Sequence, residues 1–315
     1  MEHEANGTMG RRRKGDAVNG WILLDKPKGM TSTQAVAQVK RLFNAQKAGH
    51  GGTLDPLATG MLPIALGEAT KTVPFVVEGT KVYRFTVRWG QETNTDDMEG
   101  EVTAESATRP APEQVDDILD DYLGVIMQTP PQFSAIKIAG ERAYDLARTG
   151  QSVTIAAREV VIDRLDLVEI LDDDHFVFEA ECGPGTYVRA LARDMGRQLG
   201  CYGHVVALRR LRVGPLGADD MISLEELEEL SDKTPGREAL YEVLRPVGTA
   251  LDDIPALAIG SADAARLKRG QPVIMRGRDA PVLDGTFLAQ LHGKPVALVE
   301  ISQGALKPKR VFNLA

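Results

Sequence analysis

The feature that most constrains this chain is a glycine-rich stretch, GHGGTLDPLATGML, at residues 49–62. Four glycines and one proline among these fourteen residues exclude a regular helix and predict a tightly bent loop. The loop carries an imidazole, His50, and a carboxylate, Asp55, and Pro56 restricts the backbone at Asp55 to extended or turn geometry. Taken alone, the stretch favours a turn in which Asp55 only accepts backbone hydrogen bonds. Its large apolar residues are expected to anchor it in the core: Leu54, Leu57, Met61 and Leu62.

Composition sets the class of protein. The 315 residues suffice for one large domain or two, with a substantial core. A hydrophobic content of 43% and a charged content of 26% are those of ordinary globular proteins, which excludes a largely disordered chain. The net charge of −8 argues against general coating of nucleic acid but leaves room for local basic patches.

Cysteines, histidines and apolar runs bear on compartment and cofactors. Two cysteines, Cys182 and Cys201, and five histidines show no metal-ligand spacing, so we expect reduced thiols, no metal and a cytoplasmic location. No apolar run approaches the ~18 residues of a membrane span, so no membrane association is expected. The basic run at 11–14 lacks the apolar segment of a secretion signal.

Periodicity and turn residues predict the elements of the first half of the chain. In order these are a disordered basic tail (1–18), a strand (20–26), a helix with a Thr31/Gln34 capping box, a buried segment with a short helix (64–78), a strand with an aromatic face (81–89), a polar loop (90–104), an acidic helix (112–123), a Pro-rich connection (128–137) and a helix near 140–149.

The second half is predicted in the same way. It comprises strands at 158–170 and 175–182, a helix from the Gly183–Gly185 turn to about Leu199 with Thr186 as N-cap, a basic strand (205–212), a helix with a Ser223/Glu226 capping box, a short helix ending near 244, and β pieces at 272–275, 286–291, 296–301 and 311–313.

Several catalytic motifs are excluded. The chain has no Walker loop, no G-x-G-x-x-G and no G-x-S-x-G elbow. What remains is a lone carboxylate, Asp55, which can act as a nucleophile because it is ionised at neutral pH. Arg189 is a candidate for stabilising its charge, and Tyr83 and Tyr187 are candidates for stacking on an unpaired RNA base. Singly, each of these residues is more commonly structural.

Six segments together carry a resemblance to a known family. They are GWILLDKPKGMTS, KAGHGGTLDPLATGMLPIALGEATK, KVYRFTVRWGQET, PPQFSAIK, CGPGTYVRALARDMGRQLG and HVVALRRLRVG. In this order they resemble the bacterial tRNA pseudouridine-55 synthase family over about residues 19–247. The segments GQPV and GALKPKRVF resemble that family's PUA domain, which gives predicted units at 1–18 (tail), 19–247 (catalytic) and 248–315 (PUA-like, RNA-binding).

The resemblance implies an α+β pseudouridine-synthase fold with a mixed, largely antiparallel sheet flanked by helices. It implies an isomerase that flips a T-loop uridine of tRNA and turns the base, as a monomer without cofactor or metal. Asp55 would be the nucleophile, toward the sugar or the base. The other residues matched are Tyr83 (stacking, C5 proton), Arg189 (pairing with Asp55), His50 (displacing the base), Tyr187 and Leu208 (pocket), Lys26 (loop support or RNA backbone) and Lys137 (RNA-clasping loop).

Two positions depart from the family pattern. Gly51 stands where threonine is common, which would add backbone freedom beside His50, and Phe133 stands where tyrosine is common. Two other functions stay open at this point: a tRNA-binding or tRNA-folding protein whose catalysis is dispensable, and an Asp-dependent N-glycosidase that releases uracil.

Overall fold

The computed structural model describes residues 15–134, 155–233, 237–275 and 284–314, together with the backbone of 137–138 and 141–142. The expected tail at 1–14 and most of the helix expected near 140–149 lie outside the described residues. Residues 15–18, which we assigned to the disordered tail, are ordered. Asp16 exchanges backbone hydrogen bonds with Asn44 and Gln46, and Val18 is buried.

The described strands form one large sheet, one five-stranded sheet and two small hairpins. In chain order they are β1 (Gly20–Lys26), β2 (Ala48–His50), β3 (Thr59–Leu66), β4 (Lys81–Trp89), β5 (Gln91–Thr93), β6 (Val102–Glu105), β7 (Gly124–Gln128), β8 (Lys137–Ile138), β9 (Glu141–Arg142), β10 (Arg158–Ile170), β11 (His175–Cys182), β12 (Gly203–Val213), β13 (Ile222–Ser223), β14 (Ala256–Ala258), β15 (Val273–Ile274), β16 (Gly285–Leu291), β17 (Lys294–Ser302) and β18 (Ala305–Val311).

The α-helices that the structure describes flank these sheets. They are α1 (Ser32–Leu42), α2 (Val73–Glu78), α3 (Pro112–Leu119), α4 (Val188–Gln198), α5 (Leu224–Lys233), α6 (Glu238–Glu242) and α7 (Ser261–Lys268). Short 3₁₀ turns lie at Gly67–Lys71, Asp120–Tyr122, Ala218–Asp220 and Val247–Leu251. No helix among the described residues has the length and apolar character needed to traverse a bilayer.

The large sheet has the order β13-β1-β3-β12-β4-β11-β10-β7, with β2 paired to β3. Its strands are antiparallel except for the β1–β13 and β3–β12 pairs. The predicted α+β class with a mixed, largely antiparallel sheet is therefore confirmed. The parallel β3–β12 pair matters most for the site, because it brings the end of the glycine-rich loop next to the basic strand.

Strand β1 is buried on both faces, which explains its continuous apolar sequence. Ile22 and Leu24 point into the main core, which lies between the sheet and its helices. Trp21 and Leu23 point into a second core, which packs against the C-terminal sheet through residues such as Phe312. The C-terminal sheet, in the order β14-β16-β17-β18-β15, is thus attached directly to the large sheet.

Most predicted elements are confirmed, including both capping boxes. Besides the tail residues 15–18, four further predictions are wrong. The glycine-rich loop is narrower than 49–62, since β2 and β3 take both of its ends, and the stretch 90–104 contains the β5–β6 hairpin instead of being all loop. Thr186 is not an N-cap, because its hydroxyl donates to the Gly183 carbonyl and α4 starts one residue later. The last strand is Ala305–Val311, not 311–313.

Candidate active site

The loop between β2 and β3 is held in place at several points. Leu54 and Leu57 are buried in the main core, as expected; Leu62 of β3 lies there too, and Met61 of β3 is buried in the second core. The hydroxyl of Ser32, at the start of α1, donates to the Leu54 carbonyl and accepts from the Leu54 amide at 2.8 Å. These contacts fix the backbone immediately before Asp55, so its carboxylate projects from a rigid loop.

Lys26 supports the same loop through hydrogen bonds to backbone carbonyls. Its ammonium group is fully buried and donates to the carbonyls of Pro27 at 2.9 Å, Met30 at 2.7 Å and Pro56 at 3.4 Å. Burial lowers the pKa of Lys26 to about 8, although the Asp55 carboxylate acts to raise it. Of the two roles expected for Lys26, the structure favours loop support over contact with an RNA backbone, because this ammonium group has no exposed surface.

Asp55 forms an ion pair with Arg189 across the site. The Arg189 guanidinium lies 3.0 Å from Asp55 Oδ2 and 3.2 Å from Asp97 Oδ2. The Arg189 side chain is only 5% exposed, whereas that of Asp55 is 37% exposed. A carboxylate that is paired on one side and open to solvent on the other is held in position and can still meet a substrate.

The remaining donors of Arg189 fix its position. They reach the carbonyl of Thr95 at 2.8 Å and that of Phe133 at 3.1 Å. Arg189 lies in the first turn of α4, and Thr95 lies in the loop of the β5–β6 hairpin, so three separate segments meet at one guanidinium. Such multiple contacts favour one rotamer, which orients the group toward Asp55.

A second arginine, Arg210 of β12, lies beneath the loop with 1% of its surface exposed. It donates to the carbonyls of Met61 at 2.8 Å, Gly52 at 3.0 Å and Thr53 at 3.3 Å. Among the residues that the structure describes, no carboxylate lies within ion-pair distance of it. We did not predict a role for this residue from the sequence. It occupies a core position in strand β12, where an arginine is unusual, and this could have pointed to it.

Tyr83 of β4 is the register partner of Arg210. Burial raises the pKa of the Tyr83 phenol, while the Arg210 guanidinium, which is hydrogen-bonded to it, acts to lower the pKa. Asp55 acts on the same pKa, which places Tyr83 within electrostatic reach of the carboxylate. The phenol is therefore neutral at pH 7. The Tyr83 side chain is partly exposed.

His50, in β2, is partly exposed, and its Nδ1 atom is buried without a hydrogen-bond partner among the described residues. Burial and the Arg210 charge lower its pKa, so the ring is neutral at pH 7. Gly51 has no positive φ, and a Cβ atom there would lie 2.6 Å from Val76 Cγ1. The backbone freedom that we expected of Gly51 is therefore not its structural reason; the lack of space against Val76 is.

The other expected pocket residues are placed less directly. Tyr187, just before α4, is partly exposed, and the Arg158 guanidinium lies 5.2 Å from its ring centroid, covering one face. Leu208 is 7% exposed and pairs with Phe85 in the main core. Lys137 lies in the short strand β8, and its side chain is outside the described residues.

The structure thus brings together Asp55, Arg189, Lys26 and Tyr83, which the family resemblance implies for one site, and Arg210 and Asp97 lie beside them. In the described part of the chain, no group of three or more His, Cys, Asp or Glu side chains is arranged to hold a metal ion. The arrangement can present one ionised carboxylate, one neutral phenol and several buried cations to an incoming anionic substrate.

Two family profiles match the chain. The profile of the TruB family pseudouridylate synthase N-terminal domain covers residues 40–188, and that of the tRNA pseudouridylate synthase B C-terminal domain covers 189–252. A tRNA pseudouridine synthase B from Bradyrhizobium diazoefficiens is 62% identical over 99% of this chain and 90% of that protein. One from Agrobacterium fabrum is 57% identical over 96% of this chain and 97% of that protein.

Solved structures are similar in fold. A chain in the structure of an H/ACA RNP bound to a substrate RNA containing 2′-deoxyuridine matches with a TM-score of 0.73 at 22% identity, over 98% of this chain and 93% of that chain. A chain of a Cbf5-Nop10-Gar1 complex matches with a TM-score of 0.72 at 24% identity, over 93% of this chain and 84% of that chain. This likeness confirms the predicted fold.

Proposed function

Because the chain belongs to the TruB family of pseudouridylate synthases, we propose that it is an RNA isomerase that converts a T-loop uridine of tRNA to pseudouridine. In this proposal Asp55 is the nucleophile. The observation that carries the proposal is the Asp55–Arg189 ion pair, in which a buried guanidinium holds a carboxylate that remains open to solvent.

The reaction is an isomerisation, so the substrate and the product contain the same atoms. The bond between C1′ of the ribose and N1 of uracil breaks, the base turns, a C1′–C5 bond forms, and the proton on C5 is removed while N1 gains one. Asp55 would add to the sugar carbon, displacing N1 of uracil, or to the base, and its bond to the substrate would break again before the product leaves. A carboxylate needs no general base for either attack. Arg189 would orient the carboxylate and keep it charged.

Tyr83 and His50 would serve the base itself. Tyr83 is partly exposed and within electrostatic reach of Asp55, so its ring can stack on a uracil while its hydroxyl lies near the C5 proton. His50, neutral and at the edge of the loop, would help to displace the target base, which costs a few kcal/mol and less from a loop than from a duplex.

The charges of the site suit an anionic polymer despite the net charge of −8. Lys26, Arg189 and Arg210 are buried around the loop, where Asp55 and Asp97 balance only part of their charge, so the net charge of the chain does not describe the cleft. We infer that the protein acts on tRNA as a monomer, in the cytoplasm. Its two cysteines are free and buried, which fits a reducing compartment.

Replacement of Asp55 by Asn tests the proposed chemistry. We expect the D55N variant to bind an unmodified tRNA transcript about as well as wild type and to form no pseudouridine by mass spectrometry. The matched control is Asp117→Asn, an exposed carboxylate on α3, which should leave both properties unchanged. Pseudouridine formation at the wild-type rate by D55N would overturn the nucleophile assignment.

The D55N variant also tests the two other functions, with growth and free uracil as additional measurements. A tRNA-binding or tRNA-folding protein whose catalysis is dispensable would support growth equally well as wild type or D55N. An N-glycosidase would release free uracil, which chromatography of the supernatant detects. Pseudouridine mapped to the T loop, with no free uracil, supports the proposal.

A further inference from the structure

The last residue of β7 and the segment that follows it are attached at three points to α4 and to Tyr187, the residue before α4. The Gln128 side chain donates to the Tyr187 carbonyl at 3.1 Å and accepts from the Tyr187 amide at 2.8 Å. Arg193 donates to the Thr129 carbonyl at 2.8 Å, and Arg189 donates to the Phe133 carbonyl at 3.1 Å. One end of α4 thus sets the path of residues 128–134.

Arg193 has no contact with Asp55, and its other donors go to acids. It lies 2.9 Å from Asp96 Oδ2 and 2.8 Å from Asp194 Oδ1. Arg193 and Asp96 are 7% and 5% exposed, so the pair is almost completely removed from water. A buried ion pair is weak evidence for a stabilising role, because desolvation offsets the attraction between the charges. The planar geometry of the Arg193 guanidinium, however, directs one of its nitrogen atoms to the Thr129 carbonyl.

The β5–β6 hairpin explains how both arginines are held. Asp96 has a φ of +59°, a left-handed conformation that non-glycine residues adopt rarely. Asp96 then reaches Arg193, while the next residue, Asp97, reaches Arg189. Arg189 and Arg193 are four residues apart and so lie on one face of the helix. Two parallel units result, each with one acid, one arginine and one carbonyl of the segment.

We propose that Arg193 and Asp96 are positioning residues that hold segment 129–134 as one wall of the RNA cleft beside Asp55. The wall lies one side chain from the reacting carboxylate, since Arg189 binds both Asp55 and the Phe133 carbonyl. Gln132 is exposed in this wall and can face a substrate. The proposal rests on the proposed function, because it requires that tRNA occupies the cleft.

Two variants test the positioning role. R193M removes the bond to Thr129, and the double variant Asp96→Asn with Arg193→Met removes both charges of the buried pair, while asparagine suits the left-handed conformation at position 96. The matched control is Arg197→Gln, one turn further along α4, which removes an exposed ion pair with Glu92. We expect both test variants to raise KM for tRNA about tenfold and to leave kcat within about twofold, the loss of a charged hydrogen bond being of that size.

Amide hydrogen exchange supplies a readout that is independent of activity. Faster exchange at the amides of Thr129 and of residues 132–134 in the test variants, with exchange in α4 unchanged, supports the wall; the two residues between them are prolines and have no amide hydrogen. An unchanged KM, or a fall in kcat alone, overturns it, and so does an equal rise of KM in Arg197→Gln. Wild-type enzyme in the same assay separates the two proposals: if it forms no pseudouridine, the proposed function fails, whereas an active wild type with unaffected variants overturns only the positioning role.

Discussion

The loop that carries Asp55 is contacted by two buried arginines that are held in different ways. On the strand side, Arg210 of β12 donates to backbone carbonyls of the loop and the adjoining strand and is hydrogen-bonded to the neutral Tyr83 phenol. On the helix side, Arg189 of α4 contacts the carboxylates of Asp55 and Asp97. A guanidinium bound to carbonyls fixes the chain and keeps its positive charge uncompensated, whereas one bound to carboxylates orients the reacting group. The same residue type therefore serves the loop on one side and the chemistry on the other.

The uncompensated charge of Arg210 acts on its neighbours. It lowers the pKa of His50 and contributes to lowering the pKa values of Lys26 and Lys81, both to about 8, for which burial is the larger cause. The strand side is therefore a region where added positive charge is unfavourable and negative charge is favoured. A phosphate-bearing substrate would relieve this imbalance on binding.

Replacement of Arg189 by lysine should have the largest effect. Lysine keeps the charge but cannot contact Asp55, Asp97 and two carbonyls at once, since it is a point charge without a fork. We expect kcat to fall about 1,000-fold, equal to about 4 kcal/mol, with the fold retained. Single-turnover pseudouridine formation measures the rate, and thermal unfolding checks the fold. Activity within twofold of wild type would break the assignment of the chemistry to the helix side.

Replacement of Arg210 by methionine should instead act on stability. It leaves two carbonyls of the loop and one of β3 without their donor, so we expect the free energy of unfolding to fall by about 2–3 kcal/mol. Arg210→Lys can still donate to one of the carbonyls, so its free energy of unfolding should lie between those of wild type and Arg210→Met. Denaturant unfolding measures the loss, and the rate of pseudouridine formation per folded molecule should change only severalfold. A variant that is fully stable but as inactive as Arg189→Lys would erase the difference between the two sides.

Sequence patterns foretold the fold wherever a strand or helix has one apolar face. The strand β4 alternates between core residues and residues such as Arg84, which is exposed, and this alternation located it correctly. The hairpin β5–β6 was missed because its short strands are mostly polar and only partly buried, so they carry no alternation of apolar residues. Helix α7 was missed because two-residue and three-residue strands surround it and the composition suggested only β structure.

The site was predicted less evenly. The glycine-rich loop pointed to Asp55, but the positions of Tyr83 and Arg189 as partners came from the family resemblance, not from spacing. Arg210 and Asp97 were not foreseen as parts of the site. Their contacts join β12 to the loop and the β5–β6 hairpin to α4 across long sequence separations, and local periodicity contains no information on such pairings.

The titration of Asp96 sharpens the description of the helix side. Burial raises the pKa of Asp96 to about 6, outweighing the nearby Arg193 and Arg189 charges, while Glu92 raises it further. A folded-state pKa above the unfolded value means that the native protein binds more protons between these two values. The contribution of Asp96 to stability therefore decreases as pH rises from about 4 to about 6, by up to about 3 kcal/mol.

Asp96→Asn should remove this decrease. As pH rises from about 4 to about 6, we expect D96N to gain stability relative to wild type. From pH 7 to 8 the difference in unfolding free energy should be constant. Denaturant unfolding at a series of pH values measures it, and Asp117→Asn on the exposed face of α3 is the control. A difference that does not vary between pH 4 and 6 would contradict the elevated pKa.

The smallest expected effect concerns the rigidity of the loop on the strand side. A Cβ atom on Gly51 would lie 2.6 Å from Val76 Cγ1 and 3.4 Å from Pro63 Cβ, so Gly51→Ala forces α2 or the loop to shift. We expect a loss of about 1 kcal/mol in stability, the lower end of the cost of overpacking. Val76→Ala removes the obstructing methyl groups, so the double variant should be more stable than the sum of the two single changes predicts. A double-mutant cycle measures this coupling. Additive effects would mean that Val76 does not restrict position 51, and that the loop beside His50 is held by its hydrogen bonds to Arg210 and the neighbouring strands alone.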